Sequence, residues 1–205
     1  MLQLFFGTYI TLFFLLTPFF VISTFLSMTA KMSGDQRKRV ALRTVLAIIV
    51  CALSIYLLGS QVFKVLGITL DAFRVGAGAM LFLSAVTLVS GRIDRGAADD
   101  NEDIAVVPLA MPVTVGPGTT GALLVLGTDV AREFGNDLTS HVVAISALLA
   151  AVLSVGAMLY FAATAQRHIH PRIMSVLTKL TGLILASISA QLILTGIRNF
   201  MVGAK

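Results

Sequence analysis

Six stretches of this chain contain no Asp, Glu, Lys or Arg: Met1–Ala30, Thr44–Phe63, Val75–Gly91, Ile104–Thr128, Leu138–Gln166 and Leu180–Ile197. They are 30, 20, 17, 25, 29 and 18 residues long and together hold 139 of the 205 residues. A helix crosses the hydrocarbon of a bilayer with about 20 residues, within a range of about 17–25. Each stretch suffices for one crossing, and none for two with a turn between them. Spanning strands would alternate in and out over about 9–11 residues, which these continuous apolar runs do not. Charged residues are only 12% of the chain, against 57% hydrophobic, about half the charge that clothes a soluble domain. A water-soluble enzyme and a disordered tail are excluded. An all-α protein of six transmembrane helices in a lipid bilayer is predicted.

The first stretch has no basic residue before Lys31 and no Ala-x-Ala-like site at its end, so it is read as a span and not as a cleaved signal peptide. The odd-numbered loops hold Lys31, Arg37, Lys38, Arg39, Arg43, Arg92, Arg95, Arg167 and Arg172, with Lys179 at the edge of the sixth span. The termini and even loops hold Lys64, Arg74, Arg132, Arg198 and Lys205. Ten against five places the odd loops in the cytoplasm and both termini outside. This bias accounts for the net charge of +5, which therefore gives no support to nucleic-acid binding. The basic cluster of the first loop could also touch anionic lipid. The single cysteine, Cys51, lies mid-span and permits no intrachain disulfide.

Spans 3 and 6 align without a gap at a separation of 105 residues: Arg74 with Lys179, Ser84 with Ser189, Ala85 with Ala190 and Gly91 with Gly196. Spans 1 and 4 share a proline break followed by hydroxyls, Thr17-Pro18 with Ser23-Thr24 and Gly116-Pro117 with Thr119-Thr120. Two halves of three spans each must have opposite orientations, the inverted repeat of many secondary transporters. The predicted organisation is a first three-helix repeat over 1–91, an acidic cytoplasmic linker over 92–103 and a second repeat over 104–205. Chance similarity between Leu/Ala/Ser-rich helices is the competing explanation.

The fourth span carries three prolines and three glycines within Pro108–Gly121. A proline inside a helix lacks an N–H and clashes with the carbonyl four residues back, so Pro117 should free the carbonyl of Val113, and Pro18 that of Phe14. In hydrocarbon such groups persist only where they line a cavity or are covered by protein. Helices 1 and 4 are therefore predicted to be broken. Thr114, Gly116, Pro117, Gly118, Thr119 and Thr120 would form one wall of a polar site near the midplane, and Thr17, Pro18 and Ser23 the other. Plain proline kinks healed by neighbouring helices are the alternative.

No carboxylate falls inside any of the six stretches; Asp71 lies at the mouth of span 3, with Arg74 three residues on. Proton coupling through an intramembrane acid is thus disfavoured, although hydroxyls and carbonyls could hold a coupling ion. Arg74 and Lys179, which directly precede spans 3 and 6, either snorkel to the interface or act as a gate or anion contact. His168 and His170 have no third ligand nearby, so no metal site is expected. His141, at the start of span 5, reads as structural. No nucleophile–base pair has plausible spacing, and no enzymatic activity or cofactor is expected.

The segments LTPFFVISTFLSMT in span 1, LGITLDAFRVGAGAMLFLSAVTLVSG around span 3 and PLAMPVTVGPGTTG in span 4 resemble those of the MarC family, six-span bacterial inner-membrane proteins also called the neutral amino acid transporter family. The resemblance covers essentially the whole chain. The first segment departs from the family pattern of Asn-Pro, then Gly, then a second Pro, having Thr17, Phe20 and Ser23 at those places. The resemblance implies a bacterial inner-membrane location, with the termini in the periplasm. It also implies transport of small neutral solutes, glycine- or alanine-like amino acids, by alternating access. Such a zwitterion could be held by half-helix N–H groups and unwound carbonyls, with glycines at 116, 118 and 121 letting it approach the backbone. A non-transporting scaffold or regulatory protein and a small-solute channel are the alternative readings. Substrate, direction, coupling ion and any homo-oligomer stay open at this level.

Overall fold

The computed structural model describes residues 2–91, 114–133, 138–165 and 170–203. Every regular element among them is helical: α1 (Leu2–Leu15), α2 (Pro18–Met28), α3 (Gly34–Leu66), α4 (Leu70–Ser90), α5 (Pro117–Glu133), α6 (Leu138–Ala165) and α7 (Pro171–Gly203). Among the described residues, five stretches are long and apolar enough to cross a membrane: Leu2–Met28, Gly34–Leu58, Leu70–Ser90, Leu138–Thr164 and Pro171–Val202. The expected fourth span is represented by α5 alone. Its first part, with Pro108, Pro112 and the carbonyl of Val113, lies outside the described residues, as do the linker 92–103 and His168.

Local chemistry sets the helix ends. Proline begins α2, α5 and α7, where its missing N–H has no intrahelical partner to lose. Gly67 and Gly91 end α3 and α4 in the left-handed conformation, which costs glycine nothing. Ser33 starts α3 with a capping box: Gln36 N–H donates to its hydroxyl, and its own N–H donates to Gln36 Oε1 at 2.9 Å. This cap corrects the expected first loop. Arg37, Lys38, Arg39 and Arg43 ride the opening turns of α3, because a charge-free run measures hydrocarbon contact and a helix continues into water beyond it. Arg37 turns back to donate to the carbonyls of Thr29 and Ala30 at 3.0 and 3.1 Å, closing the end of α2.

One core joins the helices through Leu12, Leu16 and Phe25 of the first stretch, Ile48 of α3, Leu123 of α5 and Leu148 of α6. Leu42, Leu46 and Val50 of α3, with Leu183 and Leu194 of α7, point outward and are exposed. An apolar exterior of this kind requires lipid as its solvent.

Helices α4 and α7 pack antiparallel through reciprocal glycine contacts. A Cβ on Gly78 would meet Ile193 Cγ1 at 2.7 Å and the Ser189 carbonyl at 3.0 Å; one on Gly182 would meet Val89 Cγ2 at 2.8 Å and the Ala85 carbonyl at 3.0 Å. Gly78 and Gly182, Ala85 and Ser189, and Val89 and Ile193 are each 104 residues apart. The packing register is therefore one residue off the expected 105, which had been set by matching side-chain types and not backbone approach. Ser189 also donates to the Gly78 carbonyl at 2.9 Å. The remaining contacts follow the same exchange: α5 packs on α4 and α3, while α2 packs on α7 and α6.

Candidate functional site: the meeting of two helix starts

The first break lies at Thr17-Pro18. Leu16 N–H still reaches the Leu12 carbonyl, but Thr17 N–H steps to the Phe14 carbonyl at 3.0 Å. Phe14 is thus satisfied by a tightened last turn, contrary to expectation, and the Leu15 carbonyl finds its partner outside the helix. Thr119, in the first turn of α5, donates its hydroxyl to that carbonyl at 3.2 Å, and the bond is buried. The C-terminal end of α1 and the N-terminal end of α5 therefore meet inside the bundle, although 104 residues separate the bonded pair.

Thr17 is the strained member of this junction. Its backbone sits at φ 48°, ψ 55°, the left-handed region that a β-branched residue rarely adopts. It is only 8% exposed, and among the described residues its hydroxyl has no hydrogen-bond partner. A buried hydroxyl without a partner costs about 1–3 kcal/mol. Backbone strain of this kind clusters at active sites, ligand clamps and switch regions.

The predicted site residues separate into two groups. Thr17, Pro18, Thr114, Gly118 and Thr119 are buried at or beside the two starts, and Gly116 and Thr120 are partly buried, with Thr120 N–H donating to the Gly116 carbonyl at 2.8 Å. Pro117 is the first residue of α5. Ser23 does not join them. Helix α2 buries Pro18, Val21, Ile22 and Phe25, one face at helical spacing, and this turns Ser23 outward, where it is exposed. Gly118 and Gly121 also take a different part from the one expected. A Cβ on Gly118 would lie 2.7 Å from Leu81 Cα, and one on Gly121 would overlap the Ala77 side chain. Their open sides are filled by α4, so they bring two helices together and do not leave room there for a ligand.

A cavity of about 330 Å³ leads toward this junction. It runs along α1 from Gln3 past Thr8 and Thr11 to Leu15, with Ala122 and Asp129 of α5 on its far side. The twelve steps from Gln3 to Leu15 correspond to about 18 Å of length along α1 at 1.5 Å rise each. Its floor residue, Leu15, carries the carbonyl that Thr119 binds.

At the cavity rim lies an ion network. Arg74 of α4 donates to Asp71 at 2.7 Å and to Asp129 of α5, and Asn199 of α7 donates to the same Asp71 oxygen at 3.3 Å. The Arg74 side chain is 9% exposed, and those of Asp71 and Asp129 are 19% and 29%. Arg74 therefore does not snorkel. It is withdrawn into the bundle, and its guanidinium is committed to two carboxylates, which leaves little of it for a free anion. Lys179 is exposed on α7, away from this network. Gly196 makes the closure tight, since a Cβ there would come 2.6 Å from the Asp71 carbonyl.

Asp129 was missed because it stands one residue past the charge-free run ending at Thr128. The signal was present: Ala122, Val125, Leu126 and Asp129 form one helical face, at the spacing of neighbours on a helix surface. His141 accepts or donates a bond with the Tyr56 hydroxyl at 3.1 Å. Among the described residues, no three His, Cys, Asp or Glu side chains come together as a metal site.

The family of MarC integral membrane proteins matches residues 2–201. A UPF0056 membrane protein of Methanocaldococcus jannaschii is 31% identical over 98% of this chain and 99% of its own length. A UPF0056 membrane protein of Aquifex aeolicus is 28% identical over 97% of this chain and 94% of its own. The UPF0056 membrane protein YhcE of Escherichia coli is 29% identical over the same shares, 97% and 94%. No solved structure matches.

Proposed function

We propose, for a chain that belongs to the MarC family of integral membrane proteins, that it is a secondary transporter of small neutral solutes, glycine- or alanine-like amino acids among them, working by alternating access. The observation that carries this reading is the Thr119–Leu15 bond. It joins the end of α1 to the start of α5 in the interior, at a residue that lines the cavity. A scaffold has no need of strained, polar backbone at such a point, whereas a transporter uses it to bind solute.

The reading extends to architecture. The reciprocal α4–α7 contacts and the exchanged partners of α2 and α5 support two inverted three-helix repeats. The Gln3 end of the cavity, the ion network, the start of α1 and the end of α7 share one end of the bundle. The basic residues of α3 and Arg172 of α7 lie at the other. By the excess of Lys and Arg, we place the basic end in the cytoplasm and the cavity mouth outside, in a bacterial inner membrane.

Counterflow in proteoliposomes tests the reading. Purified protein should exchange labelled glycine or alanine saturably against the unlabelled solute. Well-folded protein that exchanges no member of a broad metabolite panel would return the chain to the scaffold alternative, and flux that does not saturate would indicate a channel.

A further inference from the structure

The cavity is unequal in charge. Among the described residues lining it, Asp129 alone is ionisable; Gln3, Thr8 and Thr11 add an amide and two hydroxyls, and the remainder is apolar. Behind Asp129 stands Arg74, and behind Arg74 stands Asp71. Two carboxylates share one guanidinium, so the network carries one excess negative charge. The accessible side of that network is Asp129 and the withdrawn side is Arg74. An anion reaching the cavity meets a carboxylate first and a cation already matched twice. A protonated amine meets a carboxylate whose partner is shared, with hydroxyl and amide oxygens on the same walls to accept its other hydrogens.

We infer that this cavity is a recognition site for solutes bearing a protonated amine, with Asp129 as the group that accepts the ammonium and with Arg74 and Asp71 as positioning residues that hold Asp129 in place. The site reads the amine and not the carboxylate. A zwitterion and a simple alkylammonium should therefore both bind, while a carboxylate of the same size should not. As a step on the permeation route this rests on the transporter reading, but as a binding site it is tested separately.

The experiment is equilibrium binding to the intact protein in micelles, with glycine, ethylammonium, propionate and propionamide as probes. Glycine and ethylammonium should bind and displace each other, and neither propionate nor propionamide should compete. Asp129→Asn should weaken amine binding by roughly tenfold or more, the scale of one lost charge-assisted hydrogen bond, while Asp129→Glu restores it. Asp129→Asn keeps the Arg74–Asp71 pair intact, so it should fold; if it does not, the competition pattern of the unaltered protein decides. Asp71→Asn removes the excess charge without touching the cavity wall and should weaken binding several-fold. Competition by propionate equal to that of ethylammonium, unchanged binding in Asp129→Asn, or binding of neither amine would overturn the inference. Amine binding without counterflow would keep this site and remove the transporter reading. Counterflow of amine-free solutes, indifferent to Asp129→Asn, would do the reverse.

Discussion

Replacing Thr17 should make the protein more stable and less active. Its left-handed backbone costs an L-residue roughly 1–2 kcal/mol, and its buried, partnerless hydroxyl a further 1–3 kcal/mol or so. Thr17→Val keeps shape and strain and removes only the hydroxyl, so it should stabilise by about 1–3 kcal/mol. Thr17→Gly removes both penalties. Against them stand about 0.5–1 kcal/mol for the freer unfolded chain and about 0.8 kcal/mol for the lost methyl. The net for glycine is again on the order of 1–3 kcal/mol of stabilisation. Reversible unfolding by sodium dodecyl sulfate in mixed micelles measures this difference, and counterflow measures the function. Both variants should be harder to unfold, and both should lose exchange if the hydroxyl serves the solute. Variants that unfold more easily by about 1 kcal/mol would show that Thr17 is neither strained nor unsatisfied. Full exchange in Thr17→Val would remove the hydroxyl from the route.

Arg74→Leu leaves Asp71 and Asp129 without their shared cation and should destabilise on the order of 3 kcal/mol in the same unfolding assay, with Arg74→Lys recovering part. Gly118→Ala drives a Cβ against Leu81 and should destabilise by about 1–3 kcal/mol through overpacking; a larger residue there reports α4–α5 packing before it reports transport. Ser33→Ala removes the capping box of α3 and should lower stability by about 1 kcal/mol, with exchange in folded protein unchanged.

Much of the architecture could be read from charge and proline alone. The charge-free runs located the five crossing stretches, because lipid tolerates few charges along a span. Pro18 located the break in the first stretch and Pro117 the start of α5, because proline cannot continue a helix without losing a bond but is tolerated at its first position. What escaped the sequence were directions and distances. The extension of α3 back to Gly34 depended on a Ser33–Gln36 cap outside the apolar run. Ser23 looked like a site residue by proximity to Pro18, but its side chain lies across the helix from the buried face. Gly118 could serve a ligand or a neighbouring helix equally well until Leu81 was seen against it. Arg74 and Asp129 are 55 residues apart, and only the packing of α4 on α5 brings them together.

The central claim is that solute passes down the cavity to the junction of the two breaks. Ala122→Cys in a Cys51→Ser background puts a single thiol on the α5 wall of that cavity. Labelling by a membrane-impermeant thiol reagent should proceed from outside, should slow in the presence of an exchanging solute, and should abolish counterflow once complete. Complete labelling with counterflow unchanged would show that the cavity is not the route.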